Sequence, residues 1–63
     1  MNSKIKGLRQ AKGISQDRLA RMTDVTRGTI GTVERGKKKP NVYLALKIAH
    51  VLGATVEQLW GDD

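Results

Sequence analysis

Sixty-three residues with a net charge of +6 and no cysteine describe one small domain. Such a chain buries only about 60% of its unfolded surface, and no disulfide or thiolate metal site can staple it. Its apolar runs are too short for a bilayer or a signal peptide, so a soluble, unexported protein of a reducing cytoplasm is expected.

The charge is uneven. Residues 1–40 hold eleven basic and three acidic side chains, a net of +8, whereas residues 41–63 hold one basic and three acidic, a net of −2. A basic half attracts phosphate and raises encounter rates with nucleic acid. Strand signals are weak: alternation is not sustained, phenylalanine is absent, and there is one tyrosine and one tryptophan. Glycine and proline fall between periodic segments, and the spacing predicts five short helices in a single all-α domain over 1–63.

The first helix is predicted from about Ser3 to Lys12, with Ile5, Leu8 and either Ala11 or Lys12 on its apolar stripe and Gly13 as its stop. The second follows Ser15, an N-cap whose oxygen can accept from a first-turn N–H. Asp17 in its first turn suits the helix dipole, and Leu19, Ala20 and Met22 are expected to face inward. The third follows Thr26, runs to about Arg35 on a stripe of Ile30 and Val33, and ends at Gly36. Residues 37–40 form a basic connection. The fourth follows Asn41 and stops before Gly53, with Leu44, Ala45, Ile48, Ala49 and Leu52 at helical spacing. The fifth is short: Thr55 and Gln58 form a capping box, with Val56, Leu59 and Trp60 as the apolar side. None is long enough to be stable alone, so packing must hold them.

Residues 15–36, SQDRLARMTDVTRGTIGTVERG, therefore read as two short helices joined by a tight turn. The pattern Ser-Gln-x-x-Leu-Ala, then Val-Thr-Arg-x-Thr-Ile, then Glu-Arg-Gly resembles the helix-turn-helix family of phage repressors and Cro, the XRE-type regulators. Leu8-Arg9 and Lys12 to Ser15 fit that family's opening. Pro40, Leu44 to Ala49, Leu52-Gly53 and Leu59 fit its last two helices, so nearly the whole chain is covered. The resemblance implies a compact five-helix, lambda-repressor-like DNA-binding domain. Its third helix would lie in the major groove, with the second across the backbone.

The resemblance also implies roles for particular residues. Gln16 matches a position whose amide binds phosphate and buttresses the third helix. Arg27 opens that helix at the first base-reading position, where a guanidinium can fork onto guanine O6 and N7; a phosphate contact is the alternative. Thr29 and Thr32 are the other outward polar residues, and Thr29 can instead bond to helix backbone. Arg9 and Glu34 match a structural pair tying the first helix to the end of the third. Lys37, Lys38 and Lys39, with Arg35, are expected along the phosphate backbone, where contacts position but do not specify.

Two departures stand out. Asp24 occupies the turn position usually held by glycine, and Asp tolerates a left-handed backbone better than most residues. Gly28 and Gly31 occupy positions where relatives carry reading side chains; each allows close approach to DNA or else marks sparse base reading, with DNA shape adding specificity.

The expected function is a sequence-specific regulator of transcription acting on double-stranded DNA as a homodimeric repressor, cytoplasmic and nucleoid-associated when bound. Relatives commonly pair through the C-terminal segment, which makes Val56, Leu59 and Trp60 the dimer candidates, with Leu59 also expected in the core and Trp60 open to either role. The alternative is a protein-binding adaptor, antitoxin-like, with secondary DNA binding. An enzyme is not expected: His50 is the sole histidine and no acidic pair or nucleophile accompanies it. No cofactor or metal is expected either. The aromatic platform that single-stranded RNA needs is missing.

Overall fold

The computed structural model describes residues 3–37 and 39–61. They form five helices: α1 (Ser3–Ala11), α2 (Gln16–Met22), α3 (Arg27–Glu34), α4 (Val42–Leu52) and α5 (Val56–Trp60). No strand occurs among the described residues.

Four of the five helices start on the same device, a short polar side chain that satisfies a first-turn N–H. Ser15 Oγ accepts from the Arg18 amide at 3.0 Å, and Thr26 Oγ1 from Thr29 at 3.2 Å. Asn41 Oδ1 accepts from Leu44 at 2.8 Å. Thr55 Oγ1 accepts from the Gln58 amide at 3.0 Å while Gln58 Oε1 accepts from the Thr55 amide at 2.8 Å, closing the capping box. Each cap is worth about 1 kcal/mol, which matters for helices of five to eleven residues. At the far end of α4, Gly53 turns left-handed at φ 68°, and Ala54 N–H bonds back to the Ala49 carbonyl at 2.9 Å.

Every helix sends side chains to one core. Ile5, Leu19, Ile30, Ile48, Leu52 and Leu59 are at most 2% exposed, and Ala20, Val33 and Ala49 pack among them. Two inward assignments made from spacing do not hold. Met22 is 49% exposed, and Thr23 takes the buried position instead. The α2 stripe runs from Leu19 to i+4, where the Thr23 hydroxyl donates to the Leu19 carbonyl at 2.8 Å and so enters the core satisfied. In α1, Ala11 and Lys12 are exposed, and Arg9 is the buried member beside Ile5.

The turn between α2 and α3 is closed by Val25 N–H to the Ala20 carbonyl at 3.0 Å. Asp24 sits in it at φ 65°, the left-handed position that the sequence assigned to it. The α2–turn–α3 unit thus rests on α1 and α4 through the shared core and turns the outer side of α3 away from it.

Candidate nucleic-acid interface

The site is organised around a buried carboxylate at the end of α3. Glu34 is 6% exposed and Arg9 8%. Arg9 Nε donates to Glu34 Oε2 at 2.7 Å, and its Nη1 donates to the Ile14 carbonyl at 2.9 Å. Gln16 Nε2 donates to the other carboxylate oxygen at 2.9 Å. Glu34 of α3 is therefore tied to α1 and to the first residue of α2, and Arg9 in turn is tied to the α1–α2 connection. Burial alone would push the Glu34 carboxyl up; the hydrogen bonds from Arg9 and Gln16, with the charges of Arg9 and Lys6, outweigh it and hold the group below its ordinary value.

This network fixes which groups α3 presents. Arg27 is exposed and makes no hydrogen bond or ion pair among the described residues. Gly28 is also exposed, and a Cβ there would meet only Thr26 Oγ1, at an ordinary 3.8 Å. The fold therefore does not require glycine at 28. Gly31 differs: it is buried, and a Cβ would lie 3.3 Å from Arg35 Nη1. The Arg35 side chain covers it, so of the two glycines only Gly28 offers bare backbone.

The threonines are partly engaged. The hydroxyls of Thr26 and Thr29 share a hydrogen bond of 3.0 Å. Thr32 Oγ1 donates to the Gly28 carbonyl at 2.9 Å and accepts from Arg35 Nη2 at 3.5 Å, which leaves Thr32 one lone pair and a methyl group for an outside partner. Thr29 and Thr32 line an open groove whose other wall is Lys39, Pro40, Asn41 and Leu44. Lys37 and Lys39 are exposed; Lys38 lies outside the described residues.

Lys6 was not singled out from the sequence. It lines a second depression with Gln16, Arg27, Ser15 and Asp17, on the α1 side of α3. Asp17 is paired with Arg21 at 3.1 Å, so the uncompensated charges in this depression are cationic. The available signal was its spacing: Lys6 stands three residues before Arg9 and thus shares its side of α1.

At α5 the three dimer candidates separate. Leu59 is 2% exposed and fills the core, so it has no surface to offer a partner. Val56 and Trp60 are half-buried. The exposed large apolar side chains are instead Met22 on α2 and Val42, Tyr43 and Leu46 on α4.

Two capped helices across a left-handed turn, the second bearing an unpaired arginine at its open end, define a helix-turn-helix DNA-binding domain. Residues 5–59 match the helix-turn-helix family, and the chain belongs to it, among the DNA-binding transcription regulators of XRE type. It is 40% identical over 60 residues to an HTH-type transcriptional regulator of Archaeoglobus fulgidus, covering 95% of this chain and 86% of that protein. The figures for YgzD, an HTH-type transcriptional regulator of Bacillus subtilis, are 37% over 60 residues, 95% and 91%. Among solved structures, the clp gene regulator ClgR from Corynebacterium glutamicum superposes with a TM-score of 0.83 at 29% identity over 92% of this chain. A SinR–SinI complex superposes with a TM-score of 0.84 at 28% identity over 94%. This chain spans 62% and 58% of the length of those two solved chains. The likeness carries the five-helix, lambda-repressor-like fold.

No described helix is long and apolar enough to cross a membrane. No group of three His, Cys, Asp or Glu that could hold a metal ion occurs among the described residues.

Proposed function

We propose that this protein is a sequence-specific regulator that occupies promoter DNA in the cytoplasm and represses transcription. In this reading α3 enters the major groove by its N-terminal end. Arg27 reads a base edge there, and the bare backbone at Gly28 allows close approach. Thr29 and Thr32 add a methyl or an acceptor contact. Gln16 and Lys6 on one side, and Arg35 and residues 37–39 on the other, hold the flanking phosphates. Two copies sit on a two-fold symmetric operator with half-sites about 34 Å apart.

The observation that carries this reading is Arg27 itself. It is exposed, without a partner among the described residues, and stands at the open end of a helix whose far end is locked by Glu34. An arginine retained in that state on a basic half of net +8 is suited to an outside acceptor. The second reading, a protein-binding adaptor, draws support from the exposed apolar residues of α4 and from the SinR neighbour, whose structure is of a complex with SinI.

Arg27→Ala tests the assignment. Discrimination between the preferred site and a base-substituted site should fall by about 1–3 kcal/mol, or about five- to 150-fold. Affinity for random duplex should change far less. Fluorescence anisotropy on both duplexes measures this; an equal loss on all sequences would move Arg27 to the phosphate-contacting class.

A further inference from the structure

We propose that Arg35 is a second base-reading side chain, which reaches the major groove by folding back over Gly31. The proposal rests on the DNA-binding reading above and moves Arg35 from the flanking phosphates to the base edges.

Arg35 closes α3. Its backbone is still helical, at φ −77° and ψ −6°, so its side chain leaves the helix as other helical side chains do, toward the N-terminus. Residues 28, 31, 32 and 35 fall at i, i+3, i+4 and i+7 and share one face. That face lies opposite the core stripe of Ile30 and Val33. The Arg35 guanidinium runs along it. Nη1 is 3.3 Å from where a Cβ on Gly31 would stand, and Nη2 is 3.5 Å from Thr32 Oγ1. An arginine rooted at the end of the helix thus carries its charge back to the middle, to a level four residues and about 6 Å along the axis from Arg27.

Gly31 makes the room. Its φ is not left-handed, so the backbone has no need of glycine there. Glycine inside a helix destabilises it relative to alanine. The one side chain that a Cβ at 31 would meet among the described residues is that of Arg35. The glycine therefore serves the placement of a guanidinium, and neither the core nor a turn. Gly28 lies on the same stripe, so between 28 and 35 that stripe carries only the small side chain of Thr32.

The guanidinium is also uncommitted. Glu34, its neighbour in sequence, is taken by Arg9 and Gln16. No carboxylate pairs with Arg35 among the described residues. A single long hydrogen bond to Thr32 engages one of its five N–H donors. A planar fork with open donors, on a face that bears no other long side chain, matches O6 and N7 of a guanine. A phosphate on the flank would draw the side chain off this face and leave the seat over Gly31 empty.

Selection from random duplex DNA with the wild type, Arg27→Ala and Arg35→Ala tests this. The wild-type motif should include a G·C pair that Arg27→Ala retains and Arg35→Ala loses. On duplexes substituted at that pair, Arg35→Ala should lower discrimination about five- to 150-fold, while affinity for random duplex changes far less. Arg35→Lys keeps the charge without the fork. It should retain the wild-type slope of log affinity against log salt and fail to restore the preference. Helical spectrum and melting temperature should be unchanged in both, since the Arg35 side chain serves no core or cap. Three results would overturn the proposal and return Arg35 to the phosphates: the wild-type motif recovered by Arg35→Ala, an equal loss on every sequence with the slope reduced by about 0.9, or full recovery of the preference by lysine. Each of these leaves the functional reading standing. A wild type that selects no motif would sink that reading and this proposal together.

Discussion

Glu34→Ala is expected to remove about half or more of the protein's folding stability. The change leaves Arg9 buried at 8% exposure with its carboxylate gone and only the Ile14 carbonyl as acceptor. Gln16 loses its acceptor as well. Breaking a buried pair from one side costs about 3–5 kcal/mol. A domain of this length holds in total about 3–9 kcal/mol, at roughly 0.05–0.15 kcal/mol per residue. Urea or thermal denaturation measures the difference. Replacing both partners by apolar residues, as in Arg9→Met with Glu34→Leu, should recover much of the loss, because no charge is then stranded. A single variant within about 1 kcal/mol of wild type would show that α3 is not held by this pair. The same carboxylate predicts an acid dependence. Its native pKa is lowered, so its contribution is present above the unfolded carboxyl's range and is lost as pH falls through the native value. Stability should therefore decline on the acid side, and Glu34→Gln should flatten that decline.

Replacing Lys37, Lys38 and Lys39 together with Ala should remove most of the salt dependence contributed by the α3–α4 connection. Each phosphate contact adds about 0.9 to the slope of log affinity against log salt, so three would add about 2.7. At near-physiological salt the corresponding loss is on the order of a hundredfold, shared by specific and random duplexes. Lys37 and Lys39 are exposed, and Lys39 stands across the groove from Thr29 and Thr32. Thermal stability should not change, since the described members of the run serve no core or cap. An unaltered slope would mean that the connection avoids the backbone.

The elements most legible in the sequence were those set by local chemistry. Ser15, Thr26, Asn41 and the Thr55–Gln58 box mark helix starts because a capping oxygen acts within three residues of its own position. Asp24 was legible for a similar reason, as a residue that tolerates the left-handed turn. The Arg9–Glu34 pair joins residues 25 apart, and no periodicity reveals it; it came from resemblance alone. Met22 misled because i+3 and i+4 both lie on one helix face, and only the packed core chose Thr23. The outer face of α4 escaped notice for the opposite reason. Its inner stripe was strong enough to account for the helix; Val42 and Leu46 were left without a surface role, and Tyr43 reads from sequence only as a contact to the DNA backbone or a plain surface residue. The engagement of Thr32 with Gly28, and the cover that Arg35 gives Gly31, depend on side-chain conformation that spacing cannot supply.

The central claim is that this domain reads DNA sequence as a two-fold pair. Selection from random duplex DNA at near-physiological salt, using the folded wild-type chain, tests it most directly. The account predicts an enriched motif with two inverted half-sites about one helical turn apart. Recovery of no motif by a properly folded protein would contradict it and leave salt-sensitive, non-specific binding or a protein partner in its place.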